Sequence, residues 1–265
     1  MPFLRPVLTA ALLLSGAPAF AQFAAGPQEA STEAYAVEFS LRWWSPTPMI
    51  VIDTAALDNV GGAVNFVEEF GIEKERFREM RGTLKLGRKH KVRVAYLPVT
   101  YERTAFLVRT IDFGGQTFAV GSEATGTVEW TFWRFGYEYD VVAGERGFVG
   151  VVADARYNDV TAGVVTADFG SATIEEQVWV PTIGGIARGY LAEGLSATAE
   201  FSGFSLERDT FRGKLYDLDI YGTLSLGPNF GVTGGWRRLQ AEYQADDDLG
   251  DVEFEGIYFG IDARF

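Results

Sequence analysis

Apolar and polar positions alternate with a period of two along most of the chain, and the final eight residues show this most cleanly. In Tyr258–Phe265, the side chains of Phe259, Ile261, Ala263 and Phe265 share one face of an extended strand. Tyr258, Gly260, Asp262 and Arg264 share the other. A strand with one apolar and one charged face calls for two solvents, lipid on one side and a wet or polar-filled lumen on the other. The alternation recurs upstream. Tyr35, Val37, Phe39, Leu41 and Trp43 oppose Glu38, Ser40 and Arg42. Val149, Val151, Ala153, Ala155 and Tyr157 oppose Gly150, Asp154, Arg156 and Asn158. Tyr216, Leu218, Ile220, Leu224 and Leu226 oppose Asp217, Asp219, Tyr221, Thr223 and Ser225. Val128, Trp130 and Phe132 oppose Thr127, Glu129 and Thr131, after which the phase slips near residues 133–135, as a β-bulge would cause.

Short turn signals punctuate these runs at Gly87–His90, Ala143–Gly147, Ala192–Gly194 and Gly227–Asn229. Longer, more polar connections lie near 45–76, 104–123, 159–173, 207–212 and 244–251. Alternation of short and long connections is the asymmetry of an outer-membrane barrel, whose periplasmic turns are short and outer loops long. The pattern predicts a single all-β antiparallel up-and-down transmembrane barrel of about ten strands, with eight or twelve as alternatives. The strands fall near 35–44, 77–86, 91–103, 124–141, 148–158, 174–191, 195–206, 212–226, 230–243 and 252–265. Within the loops, Phe106–Val120 reads as a hairpin around Gly114 and Gly115, which extends the wall above the membrane or, if it spans, raises the count to twelve. Val64–Met80 places Val64, Val67 and Phe70 at near-helical spacing but also permits a short hairpin.

The amino terminus reads differently. Arg5, the apolar stretch Val7–Phe20 and the A-x-A site Ala19–Ala21 form a secretory signal peptide (1–21) cut before Gln22. A linker (22–34) then leads into the barrel domain (35–265). No later segment approaches the roughly 20 apolar residues of a membrane helix. If the mature chain crosses a membrane, it does so as a closed barrel, because an open sheet would leave its edge groups unsatisfied in lipid.

Composition supports a β architecture, with 47% hydrophobic and 14% aromatic residues, 31 Gly and only 9 Pro in 265 residues. The chain contains no Cys, so an exported fold must draw its stability from elsewhere than disulfides. The formal charge of −13, or −14 once Arg5 has left with the signal, argues against nucleic acid as a partner.

The signal peptide, the amphipathic strands and the last strand ending in Phe265 resemble those of the small bacterial outer-membrane β-barrel proteins. The resemblance extends over the whole mature length and rests on few specific residues. It implies a location in the outer membrane, contact with outer-membrane lipids and lipopolysaccharide, and a monomeric barrel. In that family the terminal strand is read by the barrel insertion machinery. Tyr258, Gly260 and Phe265 match that signal, whereas Ala263 is small where a bulky residue is usual. The family includes structural barrels, narrow pores, adhesins and a few enzymes, so membership leaves function open.

Candidate chemistry is sparse. His90, the single histidine, lies in a basic short turn (Arg88–Lys91), at the wrong end for outer-leaflet catalysis. Asp246, Asp247, Asp248 and Asp251 form an acidic cluster that reads as a solvated hairpin tip, with divalent-cation binding as the rival reading. The predicted lumen carries Glu38, Arg42, Arg93, Glu129, Asp154, Arg156, Glu200, Asp217, Asp219, Asp262 and Arg264. Charges of both signs in so narrow an interior favour an ion-pair network that fills it, over a charged pore lining. Phe39, Trp43, Trp130, Phe132, Trp179, Tyr216 and Phe259 fall on the predicted lipid face as aromatic girdles. No nucleophile–His–acid set, phosphate loop or cofactor motif is present, and no cofactor is expected. The sequence therefore points to a non-enzymatic barrel with a structural, surface-interaction or narrow-pore role. A barrel enzyme acting on lipid or protein and a soluble periplasmic ligand-binding barrel are the alternatives.

Overall fold

A computed structural model describes residues 35–53, 63–168, 170–208, 211–245 and 248–265. The signal peptide and linker fall outside the described residues, as do Asp246 and Asp247. Ten long strands form the wall of a closed antiparallel barrel. They are β1 (Val37–Asp53), β3 (Phe77–Lys85), β4 (His90–Phe106), β7 (Glu123–Gly144), β8 (Gly147–Thr166), β9 (Gly170–Ala192), β10 (Leu195–Arg208), β11 (Phe211–Ser225), β12 (Phe230–Ala245) and β13 (Asp248–Arg264). Each pairs with its neighbour in sequence, and β13 closes the ring on β1 from Glu38↔Arg264 to Asp53↔Leu249. Closure leaves no free sheet edge over the paired span, which is how a chain without Cys gains cooperative stability.

Three small elements sit between the wall strands at the long-loop end. The two-residue β2 (Val64–Asn65) pairs with Val51 and Ile52 of β1. It leads into the short helix α1 (Phe66–Phe70). The strands β5 (Ile111–Phe113) and β6 (Gln116–Phe118) form a separate two-stranded hairpin. Gly114 and Gly115, both at positive φ, make its turn. The hairpin is thus present where expected, but it neither spans nor joins the wall. Its apolar side chains are buried against α1 instead. Within Val64–Met80 the helical spacing is realised as α1, while the hairpin alternative is not: Val64 and Asn65 pair with β1, and 77–80 already belong to β3.

The wall strands run further than the sequence reading allowed. Residues 45–53, 159–166 and 170–173 belong to strands rather than loops. Pro46 and Pro48 lie in β1 beyond its last pair with β3 (Trp44↔Phe77), where a missing N–H disrupts no ladder. The 22-residue β7 shows why these extensions were hidden. Its inward face is Ala124, Gly126, Val128, Trp130 and Phe132, then Arg134, Gly136, Glu138 and Asp140. Its outward face is Thr125, Thr127, Glu129 and Thr131, then Trp133, Phe135 and Tyr137. The strand never changes phase at 133–135. Its polarity inverts there, and the one register irregularity falls instead between Asp140 and Val142. In the half nearer the short turns the apolar side chains face out. In the other half they face in, as in a water-soluble barrel.

The outward apolar side chains form a band around the turn-end half. It includes Phe39, Met80, Val94, Phe135, Val151, Ile183, Phe201, Ile220, Ile257 and Ile261, all exposed. Aromatic rings cross strands on this surface. Trp43 stacks on Phe259 at 5.1 Å, Tyr96 meets Trp133 at 4.5 Å and Tyr157 meets Trp179 at 5.1 Å. An exposed apolar surface of this extent marks a site of contact with membrane or with another protein. Among the described residues no helix is long and apolar enough to cross a membrane.

Candidate functional site

The interior has two storeys, and the polarity inversion of the strands defines both. The turn-end storey is ionic. Alternate residues of the wall strands project lysine, arginine and carboxylate side chains into a space too narrow to hydrate each separately. They pair with one another instead. A path of contacts runs from Asp140 to Lys91 (3.0 Å), Glu138 (2.7 Å), Arg93 (3.1 Å) and Glu200 (2.6 Å). Glu200 binds Arg134, which reaches Asp154 at 2.8 Å. Asp154 lies 3.8 Å from Arg156, and Arg156 binds Asp217 at 2.9 Å. Asp217 and Glu79 each hold Arg237 at 2.8 Å. Glu79 continues to Arg81 (2.9 Å), Asp219 (3.0 Å) and Arg42 (3.0 Å). Seven cations and seven carboxylates alternate along this path, so the buried storey is close to neutral. Hydroxyls complete it. Arg156 donates to Ser202 at 2.6 Å and to Thr182 at 3.1 Å. Buried charges are tolerated when each is paired with an opposite charge, as here, and hydroxyls add hydrogen bonds at some of them.

The seam between first and last strands is built in the same way. Arg264 binds Glu38 at 2.6 Å, and Ser40 donates to Asp262 at 2.6 Å. Tyr258 donates to Asp219 at 2.6 Å and accepts from Arg42 at 2.9 Å. The Arg42 guanidinium lies over the Tyr221 and Tyr258 rings at 4.7 and 4.8 Å. Gly260 leaves space for this cation, since a Cβ there would meet Arg42 Cγ at 3.0 Å and the Leu41 carbonyl at 2.9 Å. Two of the three residues that match the insertion signal therefore also shape the lumen. Phe265 is partly exposed on the other face, with its backbone bonded to Val37 and Ala36.

The loop-end storey is apolar. Trp44, Ile50, Leu97, Val99, Tyr101, Val128, Trp130, Phe132, Leu239 and Phe254 point inward and pack together. Phe254 is fully buried, with Trp130 at 5.5 Å and Tyr101 and Trp44 each at 6.2 Å. Above them sits a lid of α1 and the β5–β6 hairpin. Asn65 caps α1 by accepting from the Val67 and Glu68 amides at 3.1 and 3.3 Å. Phe66 contacts Phe70 at 5.3 Å and Phe113 at 5.4 Å. Arg109 ties the two pieces together, bonded to Glu69 and to the Ala63 carbonyl. The Phe70 ring occupies the place where a side chain on Gly126 would stand, 2.5 Å from the Cβ position.

Of the predicted lumen residues, Glu38, Arg42, Arg93, Asp154, Arg156, Glu200, Asp217, Asp219, Asp262 and Arg264 all face inward. Glu129 does not face the lumen. It is exposed on the outer wall, because β7 at that height stands clear of the apolar band and its apolar face has turned inward. For the same reason Trp130 and Phe132, 5% and 1% exposed, lie inside the barrel and not on the outer face expected for them. Phe39, Trp43, Trp179, Tyr216 and Phe259 do lie outside. The sequence reading missed Glu79, Arg81, Lys91, Arg134, Glu138, Asp140 and Arg237. Their strands could have revealed them by strict alternation carried through 77–85, 90–95, 133–140 and 230–243.

His90 is exposed at the start of β4, its ring bonded to the Tyr137 hydroxyl and 5.1 Å from the Tyr139 ring. No carboxylate contacts it among the described interactions. Asp251 is half-buried on β13, paired across strands with Glu242 and Val51. The side chain of Asp248, like Asp246 and Asp247, lies outside the described residues. Among the described residues no three His, Cys, Asp or Glu side chains converge as a metal-binding group.

No protein-family model matches this chain, and no characterised protein sequence matches it. Solved structures do resemble it. The outer membrane protease OmpT of Escherichia coli aligns over 86% of this chain and 96% of its own, with a TM-score of 0.54 at 11% identity. The transport unit of the autotransporter AIDA-I of Escherichia coli aligns over 87% and 90%, with a TM-score of 0.45 at 6% identity. Ail, the attachment invasion locus protein of Yersinia pestis, aligns over 86% and 99%, with a TM-score of 0.39 at 10% identity. Identities this low speak to architecture alone. The fold is that of the bacterial outer-membrane β-barrel proteins, realised here as a closed antiparallel barrel of ten strands.

Proposed function

We propose that this chain is an outer-membrane barrel with a sealed lumen, and that it acts as a rigid, non-enzymatic platform for the surface it presents at its long-loop end. The observation that carries this reading is the filled interior. The ionic storey occupies the turn-end half, and the aromatic storey with its lid occupies the other. At about ten strands a barrel interior is only slightly wider than side chains can fill. A conducting pore needs a continuous hydrated path, and the apolar storey opposes one.

The apolar outer band supports a membrane location, with the short turns in the periplasm and the long-loop end outside. Strands that project beyond the band, polar outside and apolar inside, raise that end above the lipid headgroups. The reading makes the chain a monomer whose partners are outer-membrane lipid, lipopolysaccharide and, through Tyr258, Gly260 and Phe265, the insertion machinery. The absence of catalysis is supported by the surroundings of His90, an exposed residue at the turn end held by tyrosines. Fractionation tests the location, since the protein should be recovered with outer membranes and extracted only by detergent. Liposome swelling tests the seal. Vesicles carrying the refolded barrel should shrink and stay shrunken in arabinose, and re-swelling at the rate of a porin control would refute a sealed lumen.

A further inference from the structure

The ionic storey is not filled completely. A cavity of about 40 Å³ lies toward the short turns, lined by residues of β1, β3, β4, β7, β8, β9 and β11. Six cations line it, Arg42, Arg81, Lys91, Arg93, Arg134 and Arg188, against two carboxylates, Glu38 and Glu138. Asp154, Glu200 and Asp219, which pair with Arg134, Arg93 and Arg42, are not among the residues that line it. The lining itself therefore carries more cations than carboxylates although the whole chain is strongly acidic. Arg42 and Arg134, two of the lining cations, are 4% and 5% exposed.

We propose that this cavity binds one tetrahedral oxyanion, phosphate or sulfate, from the compartment at the turn end. Size selects the class. A buried water needs roughly 10–15 Å³ of such space, so the cavity holds about three waters or a single small oxyanion. A nucleotide, sugar phosphate or lipid headgroup would not fit inside it whole. The Arg42 fork is held between two tyrosine rings, and Arg188 is steadied by Thr198 at 2.9 Å and Tyr221 at 3.2 Å. Donors fixed in this way need no reordering when an anion arrives, and planar guanidinium groups suit its oxygens. Glu38, Arg81 and Arg93 keep 13%, 11% and 12% of their side-chain surface accessible, which gives the ion a route in.

Equilibrium dialysis of the refolded barrel in detergent against radiolabelled inorganic phosphate tests the proposal. The expected result is saturable binding of one ion per barrel, displaced by sulfate and not by chloride at equal ionic strength. Arg188→Gln removes a lining cation and should weaken binding about tenfold. Thr83→Leu fills the cavity without changing charge and should abolish binding, so the test survives if one variant fails to fold. The exposed control Arg238→Gln should bind as the parent does. Absence of saturable binding up to roughly 10 mM phosphate, a millimolar ceiling for a specific site, overturns the proposal. So does binding undiminished in whichever cavity variant folds.

Discussion

Arg237 and Asp217 meet as a two-pronged pair inside the barrel. The Arg237 Nε donates to Oδ1 and Nη2 to Oδ2, both at 2.8 Å, while Nη1 donates to Glu79 at 2.8 Å. Asp217 also receives Arg156, so one carboxylate holds two buried cations. Asp217→Asn should therefore cost about 3–5 kcal/mol of unfolding free energy, because it strands charge rather than removing it. Urea unfolding in lipid vesicles, followed by tryptophan fluorescence, measures the loss. Adding Arg237→Leu to that variant should recover part of it, since the pair would then leave together. A purely additive double variant would deny the coupling.

The aromatic storey carries a separate share of the stability. Phe254 is 0% exposed and touches aromatic rings from three other strands. Phe254→Ala should cost about 3–5 kcal/mol by the same measurement, from lost apolar contact and the cavity left behind. An effect below about 1 kcal/mol would mean that this storey is loosely packed.

The lid rests on a glycine. With the Phe70 ring 2.5 Å from the Cβ position of Gly126, Gly126→Val should lift α1 from its seat while leaving the ten-strand wall paired. Hydrogen exchange at the amides of residues 66–70 should quicken by at least about tenfold, with the exchange of β8 and β13 unchanged. Unaltered protection at α1 would show that the lid does not depend on this contact.

The polarity inversion is open to direct chemical reading, helped by the absence of Cys from the chain. Glu129→Cys should react readily with a membrane-impermeant thiol reagent on whole cells. Trp130→Cys, one position along the same strand, should be protected. The reverse pattern would restore the lipid-facing assignment of Trp130.

The contrast between those two neighbours also shows how far the sequence could be read. Period-two alternation identified the strands, their number and the two faces of β13, because a closed barrel imposes one solvent on each face over the apolar band. Asp217, Asp219 and Arg156 were legible as lumen residues for that reason. Alternation does not say which face is inside. Where β7 rises out of the band, water replaces lipid outside, and the apolar face at Trp130 and Phe132 turns inward without any change of phase. The inversion resembles a slip, which placed a bulge at 133–135 and concealed Arg134 and Glu138. The pairing of Glu79 with Arg237 was beyond reach, since their strands are separated by β13 and β1 in the closed ring.

The central claim is that two stacked storeys seal the barrel. Single-channel recording of the refolded protein in planar lipid bilayers tests it most directly. The account predicts a silent baseline at moderate voltage in molar salt, for the parent protein. Steady, reproducible conductance steps on the nanosiemens scale would contradict it and show that the lumen conducts.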